Sequence, residues 1–525
     1  MDFALTPVEF CEKQAYSFIL KSSQKERKAH GQFFTPAPVA RFMANFAEYQ
    51  KDTLKVLDPG AGVGILSCAI CEVAAKRKTV KKIEIDAYEI DPSLNVLLRE
   101  SFNFAKNWIF KSGIELSYNI IEEDFILDSQ RSLWKEQMAK YDLAISNPPY
   151  FKIGKNDPRA LSASKYVFGQ PNIYSLFMGI TAESLRDKGI MVVITPRSYA
   201  AGPYFKLFRK CFFKIVSPVK IHIFQSRKET FKNDEVLQEN IILKAKKYSK
   251  ISNIKISISK GMEDLDKSIT YTFPTSIVLY QINNDIILRL PNNNQDIDLI
   301  NTVEQWTGSL HKYGMEISTG PVVPFRAKNL ISNIQKDDND FAPLIWLQNV
   351  LPMSIKWPCF NLRNCKEKPQ FLKINSISLK RRLLILDQNL VILRRFSAKE
   401  EHRRLTASPL LKGQLGSKFI GVENHLNYIY KPKGELSETE TLGLAALFNS
   451  SMLDRYFRVS SGNTQVSATE IRAMPLPSIR KISAIGFNIK FINYVPSASE
   501  IDELVWSIIT KEEKPNNLVA EVSDG

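Results

Sequence analysis

The stretch Val56-Leu57-Asp58-Pro59-Gly60-Ala61-Gly62-Val63-Gly64 joins a short apolar run at 54–58 to a helix-length apolar stretch at 65–76. Its glycines let the backbone turn sharply into the helix and pass close to a ligand. The same alternation continues outward. Apolar runs at 83–90, 116–121, 142–146 and 189–195 are separated by helix-length segments such as 94–107 and 172–188. Alternation of strand and helix predicts an α/β fold, a mostly parallel sheet covered by helices on both faces. A last pair of runs, 219–224 and 236–245, has no helix between its members and reads as an antiparallel hairpin at one edge. Upstream, Thr6-Pro7-Val8-Glu9 carries an N-cap threonine, a proline at the first helical position and a capping-box glutamate.

After about Tyr248 the texture changes to irregular, Ile-, Ser-, Asn- and Lys-rich sequence with polar loops at 291–298 and 336–340. This predicts two domains, 1–248 and 249–525, the second of mixed α and β character. With 525 residues the chain is long enough for two sizeable cores. No apolar run approaches the roughly 20 residues that span a bilayer, and the first 21 residues lack the pattern of a secretory signal. The expectation is a cytoplasmic protein that spans no membrane. Six scattered cysteines in a chain of this length are ordinary thiols; Cys68-x-x-Cys71 lies in an apolar helical run with no second pair at zinc spacing, so no metal site is expected. The formal net charge of +16 suits a polyanionic partner, because each basic side chain placed on a phosphate releases counterions.

Four segments carry chemistry. The glycine turn is not the G-x-G-x-x-G of pyrophosphate binding, and Asp58 at the strand end is a poor neighbour for phosphate. Asp58, Pro59, Gly60 and Gly62 suit a ligand with an ammonium and no phosphate, as S-adenosylmethionine is. Tyr88-Glu89-Ile90-Asp91 closes the next run, where an acidic residue can accept from both hydroxyls of a ribose lying across the strand tips. After the third run, Glu123-Asp124-Phe125 offers Asp124 as acceptor for an adenine amine and Phe125 as a packing surface. The fourth is decisive: Ser146-Asn147-Pro148-Pro149-Tyr150. Two prolines after an asparagine hold the backbone rigid and present acceptors that no local N–H satisfies. An aromatic amine is a poor nucleophile because its lone pair is delocalised. Acceptors at the Asn147 side chain and the Pro148 carbonyl would draw its N–H groups out of plane and localise that pair, with Tyr150 as a stacking face.

On these motifs the chain resembles the adenine-N6 DNA methyltransferases of restriction–modification systems, within the N-P-P-Y amino-methyltransferase family. The resemblance implies that the glycine turn holds the methionine end of S-adenosylmethionine, Glu89 the ribose, and Asp124 and Phe125 the adenine. It also implies that residues 147–150 perform catalysis. Gly31-Gln32-Phe33-Phe34-Thr35-Pro36 matches the family segment that closes over the cofactor, implicating Phe34, Thr35 and Pro36. The motif order is that of the gamma group, in which the C-terminal region recognises double-stranded DNA. The implied fold is a Rossmann-like class I methyltransferase domain, a mostly parallel seven-stranded sheet, followed by a mixed α+β target-recognition domain.

Residues 171–177 resemble the helix after the catalytic loop, and 230–233 the loop whose aromatic, here Phe231, stacks on an extruded base. Residues 461–467 resemble a late segment of target-recognition regions. Base flipping follows, since a base inside a duplex cannot reach such a loop. Arg394, Arg395, Arg403 and Arg404 become candidate DNA contacts in a basic cleft. A monomer is expected, with a separately encoded endonuclease as partner. The competing readings are the same chemistry on another planar amine (an RNA base or a protein glutamine), N4-cytosine methylation, a non-catalytic DNA-binding specificity protein, and a fused nuclease. N4-cytosine enzymes generally prefer serine where this chain has Asn147. The intact motifs oppose a degenerate specificity protein, and no nuclease-type P-D…(D/E)-x-K site is evident.

Overall fold

Strands buried on both faces need helices on both sides, and the chain supplies them in alternation. The computed structural model describes residues 5–23, 27, 31–133, 139–225, 240–282, 284–333, 340–359, 368–380, 382–397, 403–461 and 465–511. The chain divides into two compact units: Met1–Asn294 with Ser460–Gly462, and Gln295–Val459 with Asn463–Gly525.

In the first unit β1 (Thr53–Pro59), β2 (Lys82–Tyr88), β3 (Glu115–Ile121), β4 (Tyr141–Ser146) and β5 (Leu185–Pro196) run parallel in the order β3-β2-β1-β4-β5. The order reverses between β1 and β4. Loops leaving the C-terminal ends of these two strands part to opposite sides and open a crevice. Next to β5 lies β7 (Asn240–Lys247), antiparallel to both β5 and β6 (Val216–Phe224): the expected antiparallel pair forms, but inside the sheet and not at its edge. The sheet has nine strands where the sequence predicts seven. β8 (Asn253–Ser259) pairs parallel to β6, and β9 (Ile269–Pro274) antiparallel to β8. Without them β6 would present an open edge of unpaired backbone groups, and Ile254, Ile256 and Phe273, all fully buried, would lose their cover. The sheet therefore continues through 248/249, and the first unit runs on to Asn294.

The helices α1 (Pro7–Lys21), α2 (Ala37–Phe46), α3 (Ile65–Arg77) and α4 (Pro92–Phe110) share one core with Val56, Ile85, Ile145 and Ile194 of the sheet. Thr6 and Glu9 form the expected capping box. A second tie comes from Glu72 on α3, which accepts from the Val8 N–H at 2.9 Å and from Arg41 Nε at 2.8 Å. On α3 nine of thirteen residues are buried, Cys68 and Cys71 among them as packing thiols. Leu66, Ile70 and Val73 each contribute about 1.5–3 kcal/mol by leaving water. Further on come α5 (Phe125–Leu133), α6 (Pro158–Ser162), α7 (Ile173–Ser184) and α8 (Lys206–Ile215). Asn172 caps α7, which packs against β1 and β5.

The second unit is mixed α and β. An antiparallel sheet runs Glu316–Thr319, Leu426–Tyr430, Leu390–Arg394, Ala407–Leu410, and a separate five-stranded sheet holds Phe341–Ile345 at its centre. Helices Glu438–Asn449 and Ile479–Lys490 approach so closely that a Cβ at Gly443 would lie 1.9 Å from the Ile482 carbonyl. The four arginines named as candidate DNA contacts have partners inside this unit. Arg404 is 1% exposed, with Nε on Ser397 Oγ at 2.9 Å, and Arg403 pairs with Asp502 at 2.6 Å. Arg394 donates to the Val350 carbonyl at 2.7 Å and Arg395 to the Asn424 carbonyl at 3.1 Å. Charge alone could not reveal these partners. Among the described residues no helix is long and apolar enough to cross a membrane.

Candidate active site

The glycine turn folds as its composition demands. Gly60, Gly62 and Gly64 all take positive φ, at 76°, 59° and 82°. The N–H groups of Gly60 and Ala61 donate to the Tyr88 carbonyl at 2.9 and 2.8 Å, and that of Gly62 donates to Glu89 Oε2 at 2.8 Å. These bonds tie the turn to the end of β2. Behind it Asp58 is buried at 1% exposure and does not line the cavity. Its Oδ2 accepts from Ser67 Oγ at 2.6 Å, while Oδ1 has no hydrogen-bond partner. Burial pushes its carboxyl up to about 7, and the neighbouring Glu89 adds to this. A buried carboxylate with an unused oxygen, one residue from the turn, fits a group that carries positive charge.

Both oxygens of Glu89 accept from backbone, Oε2 from Gly62 and Oε1 from the Asp91 N–H at 2.9 Å. Burial raises its pKa against those bonds. Because each carboxylate oxygen has a further lone pair, Glu89 keeps acceptor capacity towards the cavity it lines. Asp91 is differently employed. Its Oδ1 caps α4 through Ser93, and its Oδ2 accepts from Gln32 Nε2 at 2.7 Å. It therefore serves as a helix cap and as a hook for the segment at 31–36. Asp124 likewise caps α5, accepting from Ile126 and Leu127 at 2.9 and 3.1 Å, with its Oδ2 4.0 Å from Arg159. The Phe125 ring meets Tyr88 edge-on at 5.0 Å and Phe177 at 5.1 Å.

β4 ends at Ser146, whose Oγ donates to the Pro59 carbonyl at 2.8 Å and locks the two strand tips together. The next residue, Asn147, turns its Nδ2 to the Phe33 carbonyl and to Thr35 Oγ1, both at 3.0 Å. The Tyr150 hydroxyl bonds Asn147 Oδ1 and the Ile194 carbonyl. Tyr150 is 7% exposed; Phe33 lies nearly parallel to it at 6.0 Å, and Tyr174 meets it edge-on. The hydroxyl thus steadies the Asn147 side chain, a task the stacking role read from sequence does not include. Gly31, at φ 65°, packs directly on this corner: a Cβ there would lie 2.9 Å from the Phe151 ring and 3.0 Å from the Tyr150 nitrogen.

These parts border one cavity of about 680 Å3. Of the residues named from sequence, Phe34, Thr35, Gly60, Gly62, Glu89, Asp91, Asp124, Phe125, Asn147 and Pro149 line it. Pro36, Asp58, Pro59, Pro148 and Tyr150 stand behind that wall, and Phe231 lies outside the described residues. Sequence reasoning missed Gln32, Ile90, Arg159 and Phe177. Ile90, 63% exposed and lining the cavity, had a signal: an isoleucine between two acids at a strand tip has no core to enter.

Residues 71–231 match the family described as Eco57I restriction-modification methylase. Over 492 residues the chain is 33% identical to the Type II methyltransferase M.BsuBI of Bacillus subtilis, covering 92% of this chain and 95% of that one. It is 32% identical over 483 residues to the Type II methyltransferase M.PstI of Providencia stuartii, covering 91% and 92%. The Type IIL restriction–modification enzyme MmeI, solved in complex with DNA, shares the fold at a TM-score of 0.56 and 11% identity, over 97% of this chain and 75% of that one. With the glycine turn, the acidic strand tips and the asparagine–proline corner around a single cavity, the chain belongs to the Type II DNA methyltransferases of restriction–modification systems and takes S-adenosylmethionine as its cofactor.

Proposed function

We propose that the protein methylates the N6 amine of an adenine at a specific site in double-stranded DNA, as the modification enzyme of a restriction–modification pair. The observation that carries this reading is the Asn147 amide, whose N–H groups are both taken, at 3.0 Å each, by Phe33 and Thr35. Its oxygen, which already accepts from the Tyr150 hydroxyl, keeps a second lone pair for a donor. Asn147 Oδ1 and the Pro148 carbonyl accept the two N–H groups of the target amine and localise its lone pair. When bound, S-adenosylmethionine supplies an electrophilic methyl and leaves as a neutral thioether. The nitrogen gives up its extra proton to solvent once the new bond has made it acidic. Glu89 holds the ribose hydroxyls, the turn at 58–62 the amino-acid end, and Ile90, Phe125 and Phe177 the faces of the adenine, with Asp124 at its amine. Phe231 stacks on the extruded target base, and the region 249–525 supplies target recognition. The working form is a cytoplasmic monomer, with a separately encoded endonuclease as its counterpart. Asparagine at position 147, where N4-cytosine enzymes generally carry serine, favours adenine.

Expression in a methylation-deficient host, followed by single-molecule mapping of modified bases, tests this directly. N6-methyladenine should appear at one sequence motif and vanish in Asn147→Ala. Removing a preorganised polar group of this kind lowers kcat by roughly 10²–10³-fold. Cytosine modification, or unmodified DNA in the presence of active protein, would overturn the assignment.

A further inference from the structure

Asn147 is held by a residue 112 positions away in sequence, from a segment whose family role is to cover the cofactor. We propose that Thr35 is a positioning residue for Asn147, locking the amide in the orientation that the Phe33 carbonyl selects, with its oxygen towards the substrate; this rests on the methyl-transfer reading above. An asparagine amide can sit either way round, exchanging oxygen for NH2. The target amine brings two N–H donors, so only the oxygen is useful, and a reversed amide would set donor against donor. The Phe33 carbonyl can only accept, which makes the group facing it the NH2. One such bond leaves rotation about the terminal torsion soft, because that torsion has a broad well. Thr35 Oγ1, accepting the second N–H at 3.0 Å, closes it.

At the other end the Tyr150 hydroxyl, whose one proton is shared between Oδ1 and the Ile194 carbonyl, engages at most one lone pair of Oδ1 and leaves the other for the substrate. Thr35 is 5% exposed, so water does not compete for this bond. It sits one residue before Pro36, the N-cap of α2, whose Val39 and Ala40 are fully buried. The hydroxyl is therefore carried on a rigid mount. Phe33 and Phe34 line the cofactor cavity from the same segment. One stretch of chain thus shapes the cofactor site and sets the catalytic amide.

The test compares Thr35→Val and Thr35→Ser in the full-length protein. Methyl transfer to a duplex carrying the mapped site gives kcat and KM, and calorimetry gives the affinity for S-adenosylhomocysteine. Thr35→Val, which keeps the shape and removes the acceptor, should lower kcat roughly tenfold, with affinity for the cofactor product and KM for DNA held within about threefold. Thr35→Ser should recover most of the loss. Thr35→Ala, which opens the site, should behave as Thr35→Val does. Loss of cofactor affinity in step with turnover, a serine variant no better than valine, or undiminished kcat in Thr35→Val would each overturn the proposal. The methylated base is identified separately on the wild-type product. A cytosine product would remove the adenine reading and leave the valine–serine comparison intact.

Discussion

Asp58 shows what a single side chain can carry in this fold. Its carboxyl is buried, with one oxygen on Ser67 and the other without a partner, and burial lifts its pKa from 3.8 to about 7. The folded protein therefore keeps a proton that the unfolded chain gives up near pH 4. Stability must then fall as pH rises from about 4 towards 7 and level off above that, the opposite of a salt-bridged aspartate. Between pH 5 and 7 the loss is of order 2–3 kcal/mol. Melting temperatures of the cofactor-free protein from pH 5 to 8 should drop more steeply than those of Asp58→Asn, whose amide has no proton to lose. Parallel curves for the two proteins would show that Asp58 is already ionised when buried. The cost makes sense at a site where a positively charged ligand arrives.

At the scale of elements, the segment 31–36 and the corner 146–151 behave as one piece. Gly31 at positive φ lies against Phe151 and Tyr150, Gln32 reaches Asp91, and Phe33 and Thr35 hold Asn147. Gly31→Ala would force a methyl group within 3.0 Å of the Tyr150 nitrogen and strain the backbone as well. It should lower kcat by roughly tenfold or more and stability by about 1–3 kcal/mol, seen in turnover and in thermal melts. Unchanged turnover would mean that the two segments are not mechanically joined.

This joint was invisible in the sequence, because Thr35 and Asn147 are linked only by the fold. Local signals were legible: the capping box at Thr6, the glycine turn, the strand–helix alternation, and the proline-rigid corner each depend on neighbours in the chain. β8 and β9 were not. Asn253–Ser259 has a strand's alternation of isoleucine with polar residues, but its partner β6 lies some thirty residues back, with no turn between them to advertise the pairing. Asp91 and Asp124 were recognised as acids at strand tips. That they cap the helices that follow depends on backbone geometry which spacing does not supply.

At the scale of the whole molecule the governing quantity is the net charge of +16. Binding that neutralises six to ten phosphates loses roughly 10³–10⁵ in affinity between 50 and 200 mM salt. Fluorescence anisotropy with a duplex bearing the target site should show a loss of that order, and a weak salt dependence would mean that the positive surplus is spent elsewhere. Not every arginine belongs to it. Arg404 is 1% exposed, its backbone N–H donates to Asp454 at 2.5 Å and its Nε to Ser397. Arg404→Ala should leave the salt slope where it was and lower the melting temperature, because it removes a buried, hydrogen-bonded side chain and opens a gap beside Phe457. A shallower slope with an unchanged melting temperature would instead return Arg404 to the DNA. The two readouts separate charge that meets a ligand from charge that holds the fold, a distinction that net charge alone does not contain.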